Sequence, residues 1–208
     1  MGTLKIKSFC LGDLFTNAYL VINPDTHNCV LIDAPSGSGA VSQYIRDHEY
    51  HLQYILLTHG HCDHIAGLKE ISSPVYIHSK DVPLLKDPSL NFSFLFNPFT
   101  IEQVPLELAD NQAVSLDDHR LKILHTPGHT PGSLCVACEG LLFSGDTLFF
   151  DSVGRTDMPY SSGSQLIDSI KAKLFALPGE VKVFPGHGQD TTLKREIEHN
   201  PYLQATTL

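Results

Sequence analysis

Twenty-three acidic residues against fourteen Lys and Arg give this chain of 208 residues a formal charge of −9. Its 42% hydrophobic content excludes a disordered or fibrous chain, and the acidic balance excludes broad affinity for nucleic acid or anionic membrane, which needs clustered Lys and Arg. Twelve histidines, nearly as many as all Lys and Arg together, stand out, because imidazole is the commonest protein metal ligand and titrates near neutrality.

In chain order, residues 4–9, 18–23 and 29–33 are short apolar runs bounded by Gly, Asn, Pro or Asp, the pattern of strands. After the Ser36-Gly37-Ser38-Gly39 breaker, Val41, Tyr44, Ile45 and His48 recur at helical spacing. Residues 54–57 form a continuous apolar run, expected for a strand buried on both faces. A helix is predicted over 63–71 and a strand over 75–78. Residues 86–100 carry four Phe and two prolines without a clean period, and read either as a surface connection or as an apolar flap over a site. Strands follow at 113–116, 121–124, 133–138 and 141–143. Leu166, Ile170, Leu174 and Leu177 mark a helix, 181–184 a last strand, and Ile197 and Leu203 a terminal helix interrupted before Pro201. Two strand-rich halves, each with helices, predict two facing sheets covered outside by helices. The N-terminus lacks the apolar run of a signal peptide, and no stretch approaches the roughly 18 apolar residues of a membrane span. Five cysteines are too sparse for a disulfide framework. A reducing, cytoplasmic setting is expected.

Directly after the 54–57 run comes Thr58-His59-Gly60-His61-Cys62-Asp63-His64, four metal-competent side chains within six residues. A shuffled chain of this composition would contain H-x-H-x-D-H about 0.003 times, so the motif is specific. Imidazole plus carboxylate is a ligand set for zinc, iron or manganese rather than a thiolate structural site. Further candidates follow strand ends: His129 in Pro127-Gly128-His129, Asp146 in Ser144-Gly145-Asp146, and His187 in Pro185-Gly186-His187. Each has Gly immediately before a ligand type, and Gly lets the backbone approach a crowded site. The seven residues suffice for two ions with three protein ligands each and a shared carboxylate.

H-x-H-x-D-H followed by later His, Asp and His in this order resembles the metallo-β-lactamase superfamily, over the whole chain. The resemblance implies an α+β, four-layer αββα sandwich: two mixed β-sheets flanked by helices, with a dinuclear site on one edge. By that pattern His59, His61 and His129 hold one ion, Asp63, His64 and His187 the other, and Asp146 bridges both. Two divalent ions are expected, zinc first, with iron or manganese as alternatives. A bridging Asp146 disfavours antibiotic hydrolysis, since the true β-lactamases place a non-bridging ligand there. Gly145-Asp146-Thr147-Leu148-Phe149, Gly154-Arg155-Thr156-Asp157 and the ending Phe184-Pro185-Gly186-His187-Gly188 look like the short glyoxalase II (hydroxyacylglutathione hydrolase) branch. Residues 1–208 then read as one catalytic domain without the C-terminal helical domain that helps full-length glyoxalase II hold glutathione.

The expected reaction is attack of a metal-bridging hydroxide on the carbonyl of S-lactoylglutathione or a related acyl thioester, with Asp63 and Asp146 fixing the ions and orienting the hydroxide. A thiol with pKa about 8.5 departs without a strong general acid. The expected partner is therefore a small acyl-thioester molecule, not nucleic acid or membrane. The alternatives are a hydrolase of other esters or lactones, a similar-looking persulfide dioxygenase with one iron, and an RNA-processing nuclease, which the −9 charge argues against. Asp33 reads either as a turn residue or as the outer partner of a metal-bound His. Arg155 reads either as a partner of Asp157 or as an anchor for a substrate carboxylate. Cys135 and Cys138, three apart on a strand, point to opposite faces and so form no disulfide or metal pair. Cys62 is a bystander among the ligands, and the absence of G-x-S-x-G discounts a serine hydrolase.

Overall fold

In the computed structural model, which describes residues 3–204, the first half of the chain builds a six-stranded sheet. Its strands are β1 (Lys5–Leu11), β2 (Thr16–Ile22), β3 (Asn28–Ile32), β4 (His51–Leu56), β5 (Val75–His78) and β6 (Leu106–Leu108), in that order. β1 to β3 pair antiparallel and β3 to β6 parallel. The second half contributes β7 (Ala113–Leu116), β8 (His119–His125), β9 (Leu134–Cys138), β10 (Leu141–Gly145), a short hairpin of β11 (Leu148–Phe149) and β12 (Ser152–Val153), then β13 (Lys182–Pro185) and β14 (Thr191–Thr192). Its sheet runs β14-β13-β10-β9-β8-β7, with only β10 and β13 parallel.

Side-chain alternation sorts each strand between two cores. Tyr19, Val21, Val30, Ile32, Leu56, Ile123, Val136, Phe143 and Phe184 meet between the sheets. Leu20, Leu31 and Ile55 face outward and pack with Val41 and Ile45 of helix α1 (Gly39–Asp47). The short helices α2 (Cys62–Ile65) and α3 (Val82–Lys86) follow in the first half. On the outer face of the second sheet, Cys135, Leu142 and Val183 pack with Leu166 of α4 (Gly163–Ser169) and with Leu193 of α5 (Leu193–His199). A last short helix, α6 (Pro201–Gln204), follows the break at Asn200. The result is the α+β, αββα layering expected. Cys135 lies in the outer core and Cys138 between the sheets, and both are free thiols.

Four elements differ from the sequence pattern. The helix predicted over 63–71 is α2 followed by a 3-10 turn at Ala66–Lys69. Gly67 runs so close to the Pro35 carbonyl that a β-carbon would overlap it, and its N–H bonds to Ala34 O at 2.8 Å across the chain. Helix α4 widens into a π-helical stretch at Ile170–Leu174. β6 and β14, of three and two residues, lie at sheet margins and are too short to carry a period. Among the described residues no helix is long and apolar enough to cross a membrane.

Candidate metal centre

The seven residues singled out in the sequence converge at one edge of the sandwich, beyond the ends of strands from both sheets. The His59–His64 stretch follows β4, His129 lies in the β8–β9 loop, Asp146 follows β10 and His187 follows β13. The two sheets are stitched together there by backbone. Leu134 N–H donates to Thr58 O at 2.9 Å and Asn17 N–H of β2 to Gly186 O at 2.7 Å, while Gly186 N–H bonds Gly145 O at 2.8 Å within the second sheet. Three overlapping groups result, each with donor atoms within 4.8 Å of one another: His59, His61 and His129; His59, His64 and Asp146; Asp63, His64 and His187. The Asp146 carboxylate faces both sides, with Oδ1 at 3.4 Å from His64 Nε2, and Oδ2 at 3.5 Å from His129 Nε2 and 3.6 Å from His187 Nε2.

Outer partners fix every imidazole so that its free nitrogen points inward. Thr58 gives its hydroxyl proton to Asp33 Oδ2 at 2.8 Å, so its oxygen accepts from His59 Nδ1 at 3.1 Å. His64 Nδ1 donates to the same Asp33 oxygen at 2.8 Å, His129 Nδ1 to Arg155 O at 2.8 Å and His187 Nδ1 to Leu14 O at 3.2 Å. His61 is turned the other way. Tyr160 gives its only hydroxyl proton to Leu90 O at 2.6 Å, so the phenol oxygen accepts from His61 Nε2 at 2.8 Å and Nδ1 is the inward atom. His61 Nδ1 and His129 Nε2 therefore face each other at 2.9 Å with both protons committed elsewhere. His59 Nε2, His64 Nε2 and Asp146 Oδ1 are buried without a hydrogen-bond partner. Facing lone pairs and orphaned buried acceptors are costly unless an electrophile satisfies them, so this donor set fits divalent metal.

The electrostatics agree. Burial, reinforced by neighbouring imidazoles, holds His59 well below the ordinary histidine range. Burial likewise takes His61 down to about 3 and lowers His129. These three are neutral, as a metal ligand must be. Burial alone would lower His64 and His187 as well, but the facing carboxylates of Asp63 and Asp146 reverse it and raise both. Burial opposes ionisation of Asp63 and Asp146, yet His64 and His187 hold Asp63 far below the carboxylate range, and His64 with its neighbours holds Asp146 at about 2. Two buried carboxylates thus attract protons onto two histidines, a place that a cation takes when it binds.

Asp33 is buried and left-handed at φ +59°, and its carboxylate serves Thr58 and His64, so it is the outer partner rather than a plain turn residue. Arg155 is exposed and paired with Asp157 through two bonds of 2.7 Å, while its carbonyl, not its guanidinium, serves the centre. Cys62 is buried and burial pushes its thiol up to about 11. The 86–100 segment lies against the site: Asn91 O accepts from Cys62 N–H at 2.8 Å, and the Phe92 ring centroid is 5.4 Å from that of His61.

The sequence did not reveal Tyr160, Thr16 or Asp81. Thr16 donates its hydroxyl to Asp63 Oδ2 at 2.9 Å. Asp81, fully buried after β5, accepts from Gly60 N–H at 3.0 Å, Gly132 N–H at 2.6 Å and the Thr130 hydroxyl at 2.7 Å. One carboxylate thereby ties the loop carrying His59 and His61 to the loop carrying His129.

Facing mixed sheets, helices outside and a His/Asp cluster on one edge define a metal-binding αββα sandwich protein. The chain belongs to the metallo-beta-lactamase superfamily, whose family model matches residues 11–187. It is 35% identical to the probable metallo-hydrolase YqgX of Bacillus subtilis, over 99% of this chain and 100% of that protein. It is 30% identical to the hydroxyacylglutathione hydrolase GloC of Haemophilus influenzae, over 87% of this chain and 90% of that one. Among solved structures it is similar to the BLEG-1 B3 metallo-beta-lactamase, with a TM-score of 0.89 and 36% identity over 97% of this chain and 100% of that chain. It is also similar to TTHA1623 in a di-iron-bound form, with a TM-score of 0.82 and 32% identity over 95% of this chain and 100% of that chain.

Proposed function

We propose that this protein is a metal-dependent hydrolase that uses two divalent ions to cleave an acyl thioester, with S-lactoylglutathione as the reference substrate. The observation that carries the reading is the double-sided Asp146 carboxylate, which faces His129 on one side and His64 on the other. A shared carboxylate suits two ions and counts against the one-iron dioxygenase. His59, His61 and His129 would hold one ion, Asp63, His64 and His187 the other, and Asp146 both. The likeness to GloC supports the thioester, and the likeness to the di-iron form of TTHA1623 supports two ions. An N/O donor set favours zinc first, with iron or manganese as alternatives.

Bound there, the ions supply Lewis acidity toward a carbonyl oxygen and toward water. The chain supplies the rest. Asp146 Oδ1, buried without a hydrogen-bond partner, would be taken up by an ion, so Asp146 would position the ions and the water between them. The Thr16 hydroxyl occupies Asp63 Oδ2 and fixes that carboxylate's orientation. Hydrolysis adds the water oxygen to the acyl carbon, breaks the C–S bond and releases a carboxylate and a thiol. The leaving thiol, pKa about 8.5, departs as thiolate. That matters here because the nearest phenol, Tyr160, has its proton committed to Leu90 O. The same reasoning disfavours the amide nitrogen of a β-lactam, which needs a proton as it leaves.

The test is metal content and turnover measured together in the native protein and in Asp146→Ala and His59→Ala variants, with S-lactoylglutathione, an acyl thioester of a small thiol and a cephalosporin. Two ions per native chain, thioester cleavage, and loss of both in the variants are expected. Variants that keep full metal and full turnover would overturn the site. Two ions with cephalosporin cleavage and no thioester cleavage, or one iron with oxygen uptake on a persulfide, would overturn the reaction.

A further inference from the structure

The entrance to the centre is apolar, to a degree that the metal site does not require. Of the eight large hydrophobic side chains exposed among the described residues, Leu14, Phe15, Phe94, Leu95 and Phe96 lie on just two loops. Those loops meet over the candidate site. Leu14, Phe92, Leu95, Phe96, Phe149 and Met158 wall a cavity of about 510 Å³ whose floor includes His61, Asp63, Asp146 and His187. This volume is in the range of small-molecule pockets. Leu95 and Phe96 are each 63% exposed and Leu14 45% exposed, so the walls keep much of their apolar surface in water until something covers it.

The loops are also held in conformations that Phe rarely adopts. Phe15 has φ +54° and Phe92 φ +65°, in the left-handed region. The β1–β2 loop that carries Leu14 is anchored to the site by His187 Nδ1, which donates to Leu14 O. The 86–100 segment is anchored by Tyr160 and by Cys62 N–H, which bond Leu90 O and Asn91 O. The first wall is thus fixed to His187 of the floor, and the second to Cys62 and to Tyr160, the partner of His61.

The walls themselves offer an anionic occupant little positive charge. Arg155 is the one Lys or Arg lining this cavity, and both of its strong bonds go to Asp157. Lys69 lines an adjoining hollow of about 210 Å³, which shares Leu14, Cys62, Asp63 and Phe96 with this cavity and also holds Asp13. The chain as a whole carries −9. A glutathione moiety, with two carboxylates and one ammonium, finds no Lys or Arg on these walls except Arg155, which is paired with Asp157.

We infer that the substrate is a thioester, or a related ester, whose carbonyl carries an uncharged hydrocarbon acyl chain lying between Leu14 and the Phe92–Phe96 wall, in preference to S-lactoylglutathione. This rests on the hydrolase reading for the reaction and on the cavity for the chain. A buried methylene strengthens binding about fourfold, and less where burial is partial.

Two series test it on the metal-loaded protein. In the first, kcat/KM is measured for acetyl, butanoyl, hexanoyl and octanoyl thioesters of N-acetylcysteamine, beside S-lactoylglutathione. In the second, calorimetry measures binding of the matching carboxylates without any turnover. Both are expected to rise about two- to fourfold per methylene up to hexanoyl or octanoyl, with octanoyl thioester outrunning S-lactoylglutathione at least tenfold. The Leu95→Ser/Phe96→Ser variant is expected to flatten both slopes. Chain-length-dependent binding without turnover of any thioester would sink the hydrolase reading and leave the apolar subsite standing. Binding and turnover that ignore chain length, or a preference for S-lactoylglutathione, would overturn the inference itself. Slopes that survive in the double variant would overturn the placement of the chain on these residues.

Discussion

Replacing Asp81 by Asn separates stability from metal binding. Burial pushes the Asp81 carboxyl up to about 6, even though the Thr130 hydroxyl and the N–H groups of Gly132 and Gly60 favour its charged form. Against the ordinary carboxylate value of 3.8, this rise means that ionised Asp81 opposes folding by about 3 kcal/mol at neutral pH. The sign follows from the raised folded value: the contribution of Asp81 to stability is fully present below about pH 4 and is lost as pH rises through about 6. Asn cannot ionise, so the metal-free variant is expected to lose this slope. It should gain up to about 3 kcal/mol on the native protein between pH 4 and pH 7.5, which is about 6–12 °C in Tm for a chain of this length. One of the three donors must then face the amide NH₂. Gly60 and Gly132 flank proposed ligands on loops from opposite sheets, so cation affinity is expected to fall about 10- to 100-fold. Denaturant unfolding of the metal-free proteins at several pH values, and chelator competition for affinity, read the two effects separately. A metal-free variant destabilised by several kcal/mol with a pH-independent difference would refute the reasoning, because the three hydrogen bonds would then outweigh the burial of the charge.

Other expectations follow from single contacts. Tyr160→Phe removes the acceptor for His61 Nε2 and the donor to Leu90 O, and should weaken metal binding about tenfold in chelator competition, with Tm changed by only a few degrees. Gly186→Ala puts a β-carbon onto Asp146 Oδ1 and within 2.8 Å of His64 Cε1; loss of bound metal with retained circular dichroism is expected. In the native state, thiol titration should find one fast cysteine, exposed Cys10, and four slow ones, since Cys29, Cys62, Cys135 and Cys138 are buried with raised pKa values.

The proposed ligands were legible because their signals are local. His59 to His64 crowd into one turn, and His129, Asp146 and His187 each follow a glycine just beyond a strand. Gly186 shows why: its backbone sits against Asp146 and His64 where no side chain fits. The supporting groups were not legible. Tyr160 meets His61 across 99 positions of sequence and Asp81 meets Gly132 across 51, and neither separation leaves a periodic trace. Two of the acceptors that orient histidines, Leu14 O and Arg155 O, are backbone atoms that every residue possesses. Arg155 attracted notice for its charge, whereas its role in the centre is carried by its carbonyl. In the fold, apolar runs located the long strands, while the helix expected over 63–71 was shortened by tertiary hydrogen bonding at Gly67.

The cluster straddles the seam between the sheets, with His59, His61, Asp63 and His64 hanging from the first and His129, Asp146 and His187 from the second. A cation gripped from both sides is a rivet through that seam, so the halves cannot part without releasing it. Its concentration then enters the folding equilibrium itself, adding about 4 kcal/mol at a thousandfold excess over its dissociation constant. In a cell starved of the cation, the seam would open more often to proteases, and the amount of this protein would follow metal supply.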